Sequence, residues 1–325
     1  NIKENKEVYY KNYPGGGSAG SISESRDSDW LLENIITYDV PFHNKNHSLV
    51  FTGVQSIDHA LNREIGYNTE SIPVDLGPDF LANGVVSGSA VRGYGENNLV
   101  SFMLRGQYAL MDRYMLNLAF RTDGSSRFGV NNKWGFFPSA AVAWRINQES
   151  FMRDISWIDN LKLRVSYGVV GNQDGIGNYT TLGLVNAYGY EFGDYYYQTY
   201  VPGTTFSNPN LKWEQSATLN TGIDFGFFNN RISGTIEYYS THTSNLLVSR
   251  NINSALGYTS MLDNLGKTYT EGVDFSLNGD IIRKKELQLS LGANISWFRN
   301  EIVKIDDAVD EFGNPASQPG NKWFI

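Results

Sequence analysis

What limits this chain most is a two-residue hydrophobic rhythm, sustained over segments longer than ordinary strands. Val100, Phe102, Leu104, Tyr108 and Leu110 are apolar, while Ser101, Arg105 and Gln107 between them are polar. Leu116, Leu118 and Phe120 alternate with Asn117, Ala119 and Arg121. Phe136, Ala140, Val142, Trp144 and Ile146 alternate with Ser139, Ala141, Ala143 and Arg145. Leu161 to Val169, Leu219 to Phe227, Ile232 to Tyr238, Tyr269 to Ile281 and Leu287 to Trp297 repeat the pattern. A period of two places alternate side chains on opposite faces of a strand. With two earlier segments, near Leu31–Pro41 and Ser48–Asp58, the rhythm predicts about ten strands. Several are of the ~9–11 residues that a membrane-crossing strand needs, against ~5–6 for a soluble one.

The connections carry a second regularity. Short turns are expected at His43–His47, Met111–Arg113, Phe228–Asn230 and Arg283–Lys285. Long loops are expected at His59–Asn97, Asp123–Lys133, Gly171–Lys212, Thr241–Asn264 and from Asp306 onward. Short and long alternate, as periplasmic turns and outer loops do in an antiparallel membrane barrel. Asn147–Asn160 breaks the alternation and reads as a short helical turn with Phe151, Ile155 and Ile158 on one face. Trp30, Trp134 and Trp213 each precede a strand expected to descend from the outer side. Tyr114, Tyr167, Tyr238 and Trp297 lie on apolar faces. Both sets read as interfacial girdle residues, against the plainer reading of aromatics in the core of a sandwich.

Composition narrows the function classes. Aromatics make up 14% of the 325 residues and charged residues only 18%, with 33 Gly and no Cys. No apolar run approaches the ~18 residues of a membrane helix. A net charge of −8 disfavours nucleic acid as a partner. Without Cys there is neither a disulfide framework nor a thiolate metal site. His43 and His47 have the spacing of a helical zinc pair but sit in a polar turn. Gly15–Gly20 and Gly168–Gly177 do not fit a phosphate loop, and Ser89 lacks the setting of a nucleophile elbow. No catalytic residue and no cofactor is expected. Asp306, Asp307, Asp310 and Glu311 offer oxygen ligands that suit calcium, though a solvated acidic loop is the plainer reading. Tyr195, Tyr196, Tyr197 and Tyr200 are more interesting. Aromatic planes accept sugar C–H faces, which makes these four a candidate contact for substrate or for a capping partner; the plainer reading is a self-packed loop or an aromatic ribbon.

Four blocks carry a resemblance. They are RTDGSSRFGVNNKWGFFPSAAVAWRINQESFM from Arg121 to Met152, and LKLRVSYGVVGNQDGIGNY from Leu161 to Tyr179. The third is NPNLKWEQSATLNTGIDFGFFNNRISGTIEYYSTHTSNLL from Asn208 to Leu247. The last is NLGKTYTEGVDFSLNGDII from Asn264 to Ile282. In order and spacing they resemble SusC/RagA-type TonB-dependent outer-membrane transporters over most of Leu99–Val303. That resemblance implies strands of a large plugged barrel that imports oligosaccharides or peptides. It implies a SusD-like surface lipoprotein and TonB as partners, with outer-membrane lipid around the barrel.

The fold class expected is therefore all-β, an antiparallel transmembrane barrel with long outer loops and short periplasmic turns. Residues 1–325 are expected to form one portion of the barrel domain, with the plug domain and the closing strands outside it. The polar strand faces, with Arg105, Arg121, Lys162, Arg164, Asn220, Asp224, Asp274 and Asn294, would line the lumen. Two other readings stay open at this point: a passive porin or structural barrel, and a secreted β-rich carbohydrate-binding protein.

Overall fold

A computed structural model describes residues 2–9, 19–71, 85–193, 195–253, 255, 257–304 and 322–324. Strands dominate it: β1 (Ile2–Tyr9), β2 (Ala19–Asp39), β3 (His47–Glu70), β4 (Val85–Leu110), β5 (Tyr114–Ser125), β6 (Trp134–Arg145), β7 (Ile158–Asn172), β8 (Val185–Phe192), β9 (Tyr195–Pro202), β10 (Thr205–Phe206), β11 (Glu214–Phe227), β12 (Ile232–Asn251), β13 (Ser260–Arg283), β14 (Gln288–Lys304) and β15 (Lys322–Phe324). One sheet runs in the order β1 to β7 and then β11 to β15, with neighbours antiparallel wherever their register is defined. The two-residue β10 adds a short parallel pairing to β13. Strands β8 and β9 form a separate antiparallel hairpin. No described helix is long and apolar enough to cross a membrane, a fact silent about strands.

The short turns stand where the sequence puts them, and two have a common geometry. Met111 and Asp112 take φ of 55° and 56°, closed by the amide of Arg113 donating to the Leu110 carbonyl at 3.0 Å. Asn229 and Asn230 take φ of 58° and 54°, closed by Arg231 to Phe228 at 3.3 Å. Positive φ at both central residues is the pattern of type I′ turns, whose twist matches that of the strands they join; in the second, Phe228 takes φ of 57° as well. Asn suits the left-handed region; Met does not, so Met111 is held there by its neighbours.

The long connections are more ordered than the alternation suggested. Strand β3 runs on to Glu70 and β4 starts at Val85, inside the expected loop His59–Asn97. Strands β12 and β13 likewise extend to Asn251 and from Ser260. These extensions are rich in polar residues and Gly, and their apolar residues fall in adjacent runs such as Leu246–Val248 and Val85–Val86, so they show no period of two to read. The expected helical turn within Asn147–Asn160 is two 3-10 turns, Ile146–Gln148 and Ser150–Met152.

The chain divides into two compact units, residues 1–33 with 56–100 and residues 34–55 with 101–325. In the first unit, Trp30 stacks on His59 with centroids 5.4 Å apart, and His59 Nδ1 bonds Asn98 Oδ1 at 2.7 Å. In the second unit, burial is the reverse of that in a soluble domain. Phe102, Leu104, Leu116, Leu118, Phe120, Phe136 and Val142 are exposed, while Ser101, Asp123 and Ser125 are buried. Strand β6 shows the scale. Its apolar face runs from Trp134 to Trp144, and ten steps of about 3.3 Å at about 40° tilt span about 25 Å, the apolar band of an outer-membrane barrel. An aromatic ring stands at either end of that span.

Candidate functional site

The polar face of the second unit is built by register. Arg164 on β7 faces Gly222 on β11, which faces Glu237 on β12, Asp274 on β13 and Ser296 on β14. The adjacent row is Lys162, Asp224, Thr235, Ser276 and Asn294. Because neighbours in a row share a face, their charges meet. Lys162 Nζ lies 3.2 Å from Asp224 Oδ2, and Arg164 Nε lies 3.1 Å from Asp224 Oδ1. Arg164 Nη2 reaches Glu237 Oε2 at 3.1 Å, across the intervening strand. Asn220 Nδ2 donates to the other oxygen of Glu237.

Gly222 makes that reach possible. A Cβ there would stand 3.0 Å from Arg164 Cζ, so the guanidinium lies where a side chain would project. The planar fork of arginine then serves two carboxylates on two strands. A hollow of about 520 Å³ opens beside this network, lined among others by Gln107, Asn117, Lys162, Arg164, Ser166 and Asn220.

Of the eight residues expected to line a lumen, Lys162, Arg164, Asn220 and Asp224 are thus joined directly. Arg105 and Arg121 bond elsewhere on the sheet: Arg105 Nε to Asn117 Oδ1 at 3.0 Å, Arg121 Nε to Asp123 at 2.8 Å and Arg121 Nη2 to Ser101 at 3.0 Å. Asp274 and Asn294 stand in the two cross-strand rows. Sequence reasoning left out Glu237 and Gly222. Their signal was the row itself, visible once β7, β11 and β12 are aligned.

Tyr195, Tyr196, Tyr197 and Tyr200 lie on the β8–β9 hairpin, an aromatic ribbon within the long connection Gly171–Lys212. Their exposures of 69%, 72%, 46% and 64% leave the rings open to water. Register splits the four. Tyr195 and Tyr197 share a face with Phe192, Tyr190 and Tyr188, five aromatics in all. Tyr190 and Tyr197 stack at 5.8 Å. Tyr196 and Tyr200 occupy the opposite face, where the Tyr196 ring lies over Gly189.

The two ends of the second unit differ. At the long-loop end Trp213 stacks on Phe128 at 4.6 Å and meets Phe137 edge-on at 5.5 Å. Leu211 and Ile176 are buried with them. Trp213, expected as a girdle residue, is therefore a core residue at 5% exposure, because the folded-back loops cover it. Asn264 ties these loops, accepting from the Lys212 amide at 2.7 Å and donating to the Lys212 carbonyl at 2.8 Å. At the short-turn end Glu149 is buried between strand ends. Tyr114 Oη and Trp144 Nε1 both donate to its Oε1, at 2.5 Å and 3.0 Å, and Arg113 Nη1 stands 3.3 Å from Oε2. These two hydrogen bonds, and then the Arg113 charge, hold the Glu149 carboxyl below the ordinary glutamate range against the opposing effect of burial.

Among the described residues no three or more His, Asp or Glu side chains gather as a metal site. His47 Nδ1 is bonded to Tyr108 Oη at 2.8 Å. Asp306, Asp307, Asp310 and Glu311 lie outside the described residues.

Comparison with known proteins bears on this arrangement. Residues 4–324 match the sequence model of the family described as TonB dependent receptor-like, beta-barrel. Over 237 residues the chain is 41% identical to TonB-dependent receptor SusC of Bacteroides thetaiotaomicron, covering 70% of this chain and 23% of that protein. It is 32% identical over 321 residues to TonB-dependent receptor P3 of Formosa agariphila, covering 94% of this chain and 30% of that one. The RagAB peptide importer in its closed-closed state superposes with a TM-score of 0.83 at 26% identity, over 100% of this chain and 35% of that chain. This chain thus spans about a third or less of the length of the two curated relatives and 35% of that solved chain.

Proposed function

The chain belongs to the TonB-dependent receptor β-barrel family of the bacterial outer membrane, and on that premise we propose that it forms barrel strands of an energised nutrient importer. The cargo is an oligosaccharide or a peptide, captured with a SusD-like surface lipoprotein and admitted when TonB acts on the receptor. The reading joins the family match to one observation, the inverted burial of the second unit. Its apolar strand faces are exposed, as lipid requires, while its other face carries a paired network of charges. In this reading Arg105, Arg121, Lys162, Arg164, Asn220, Asp224, Asp274 and Asn294 face the lumen, where they bond a plug or line the conduit. The barrel performs no covalent chemistry. A secreted sandwich would have to hide the same apolar faces from water, and a passive porin would not need TonB.

Tyr195, Tyr196, Tyr197 and Tyr200 contact the cargo or the capping lipoprotein in this reading, since their rings are exposed and most of their neighbours on the hairpin are uncharged. The test uses cells that carry the full-length receptor. Uptake of labelled oligosaccharide and peptide is compared in intact, receptor-deleted and tonB-deleted strains. Uptake lost in both deletions is expected; uptake that survives loss of TonB would return the chain to the passive barrels. Replacing all four tyrosines with Ala should lower uptake, and unchanged uptake removes them from the site.

A further inference from the structure

The importer reading puts the short turns at the periplasmic rim, and the inference that follows rests on it. Three of the connections at this rim are laced together. The Phe228 amide donates to the Trp157 carbonyl at 2.9 Å, Asn230 N to Asp159 Oδ2 at 2.9 Å, and Arg283 Nη1 to the Asn229 carbonyl at 3.0 Å. At their centre Trp157 stacks on Phe228 at 6.0 Å and packs on Phe227 at 5.4 Å. Phe227 in turn stacks on Phe225 at 5.3 Å, on the apolar side of β11. The cluster therefore continues the lipid-facing side of the sheet. Yet Trp157 and Phe228 remain 50% and 52% exposed.

The same three connections carry cations. Arg153, Arg231, Lys284 and Lys285 are exposed and form no ion pair among the described residues. Arg283 is exposed beside them. Asp154, Asp159, Asp280 and Glu286 supply fewer carboxylates; Asp159 is already engaged by the Asn230 amide and Asp280 by the Ser290 hydroxyl. Yet the chain as a whole carries a net charge of −8, so local excess of cations at the rim runs against its composition. Amphipathic rings settle at the headgroup level, and cations beside them attract anionic lipid.

We propose that Trp157 and Phe228, with Arg153, Arg231, Lys284 and Lys285, form a site for the headgroup of an anionic phospholipid in the periplasmic leaflet. The phosphate lies among the cations and the first acyl carbons lie against the two rings. Free phosphate would satisfy the cations alone, so the rings distinguish the lipid from the ion.

The experiment is native mass spectrometry of the full-length receptor, extracted in mild detergent and offered equal amounts of phosphatidylglycerol and phosphatidylethanolamine. Phosphatidylglycerol should be retained over phosphatidylethanolamine by about tenfold, each surface cation contributing about fivefold at most. Selectivity should fall toward unity in the variant Arg153→Gln, Arg231→Gln, Lys284→Gln, Lys285→Gln. In Trp157→Ala total lipid retention should fall while the preference for the anionic lipid persists. A heat-modifiability gel establishes that both variants fold. Equal retention of the two lipids by the unaltered receptor overturns the site, as does displacement of lipid by millimolar inorganic phosphate. So does undiminished selectivity in the folded quadruple variant. Because the readout is lipid mass and not uptake, an unaltered receptor that imports without selecting lipid refutes this site alone, and an unaltered receptor that selects lipid without importing refutes the importer reading alone.

Discussion

Trp213 and Trp134 both stand where a strand begins at the long-loop end, yet one is 5% exposed and the other 56%. Trp213 faces the folded-back loops, where Phe128, Phe137, Ile176 and Leu211 make an interior of the kind found in soluble proteins. Trp134 faces outward beside Phe102, on the apolar side of the sheet. The same residue type thus serves two solvents within one unit. Above the strands, water drives apolar side chains together. Along the strands lipid removes that drive, and apolar side chains turn outward. The difference explains why the buried core of the described chain lies at one end and not in the middle.

Substituting each tryptophan breaks that comparison most sharply. Trp213→Ala removes two ring contacts and the hydrogen bond from Nε1 to the Lys133 carbonyl at 3.2 Å. A cost of about 3–5 kcal/mol is expected for truncating so large a buried ring. Hydrogen exchange should rise in residues 125–133 and 207–213 and leave β11 to β13 protected. Trp134→Ala in detergent should cost under about 1 kcal/mol, as exposed positions do. Equal losses at the two sites would mean that the long-loop core is not a separate unit of stability.

The polar face ranks next. Gly222→Val places a side chain where the Arg164 guanidinium lies and should cost about 1–3 kcal/mol through overpacking. Glu237→Gln removes one charge from a pair whose side chains are 32% and 26% exposed, so about 1–2 kcal/mol is expected after solvent screening. If Gly222 acts by letting Arg164 reach Glu237, the two changes share a mechanism and the double variant costs less than their sum. Additive losses in denaturant unfolding would assign Gly222 some other role.

Much of this was legible in the sequence, for a physical reason. A strand between lipid and a polar interior must alternate, so β4 to β7 and β11 to β14 announce themselves by period two. The turn at Asn229–Asn230 is legible as well, since Asn tolerates positive φ. The extensions of β2, β3, β4, β12 and β13 were not, because beyond the lipid band lipid no longer lies on one face and nothing selects for alternation. Nor was the burial of Trp213, which depends on loops distant in the chain. The network at Arg164 was half legible. Lys162, Arg164, Asn220 and Asp224 show as polar positions on two strands, but the part of Gly222 is an absence of atoms, and only register reveals what it makes room for.

The short-turn end sharpens the comparison through pH. Glu149 is the buried carboxylate there, held by Tyr114, Trp144 and Arg113. Its folded-state pKa is lowered, so the stabilisation is present above the unfolded-state value and is lost as pH falls through the folded-state value. Fluorescence of the full-length receptor should therefore hold steady across neutral pH and change only in acid below the ordinary glutamate range. E149Q should remove that acid transition, and Trp144→Phe should remove most of its signal. A transition that persists in E149Q would place the acid-sensitive group elsewhere.

The smallest effect on stability is expected at the β8–β9 hairpin, where the comparison turns from two ends to two faces. Tyr188, Tyr190, Phe192, Tyr195 and Tyr197 share one face with no charged residue among them; Tyr196 and Tyr200 share the other with Glu191. All of these rings are exposed, so replacing any pair should change stability by under about 0.5 kcal/mol. Function should separate them. If stacking on cargo or partner uses the five-ring face, Tyr195→Ala with Tyr197→Ala should lower uptake by about fivefold to a hundredfold, from ring contacts of about 0.5–1.5 kcal/mol each. Tyr196→Ala with Tyr200→Ala should then lower it little. The reverse ranking would move the contact to the Glu191 face, where a carboxylate is at hand for the hydroxyls of a sugar or the amides of a peptide. Equal losses would mean that the hairpin is gripped on both faces at once, as a ribbon inserted into a partner would be.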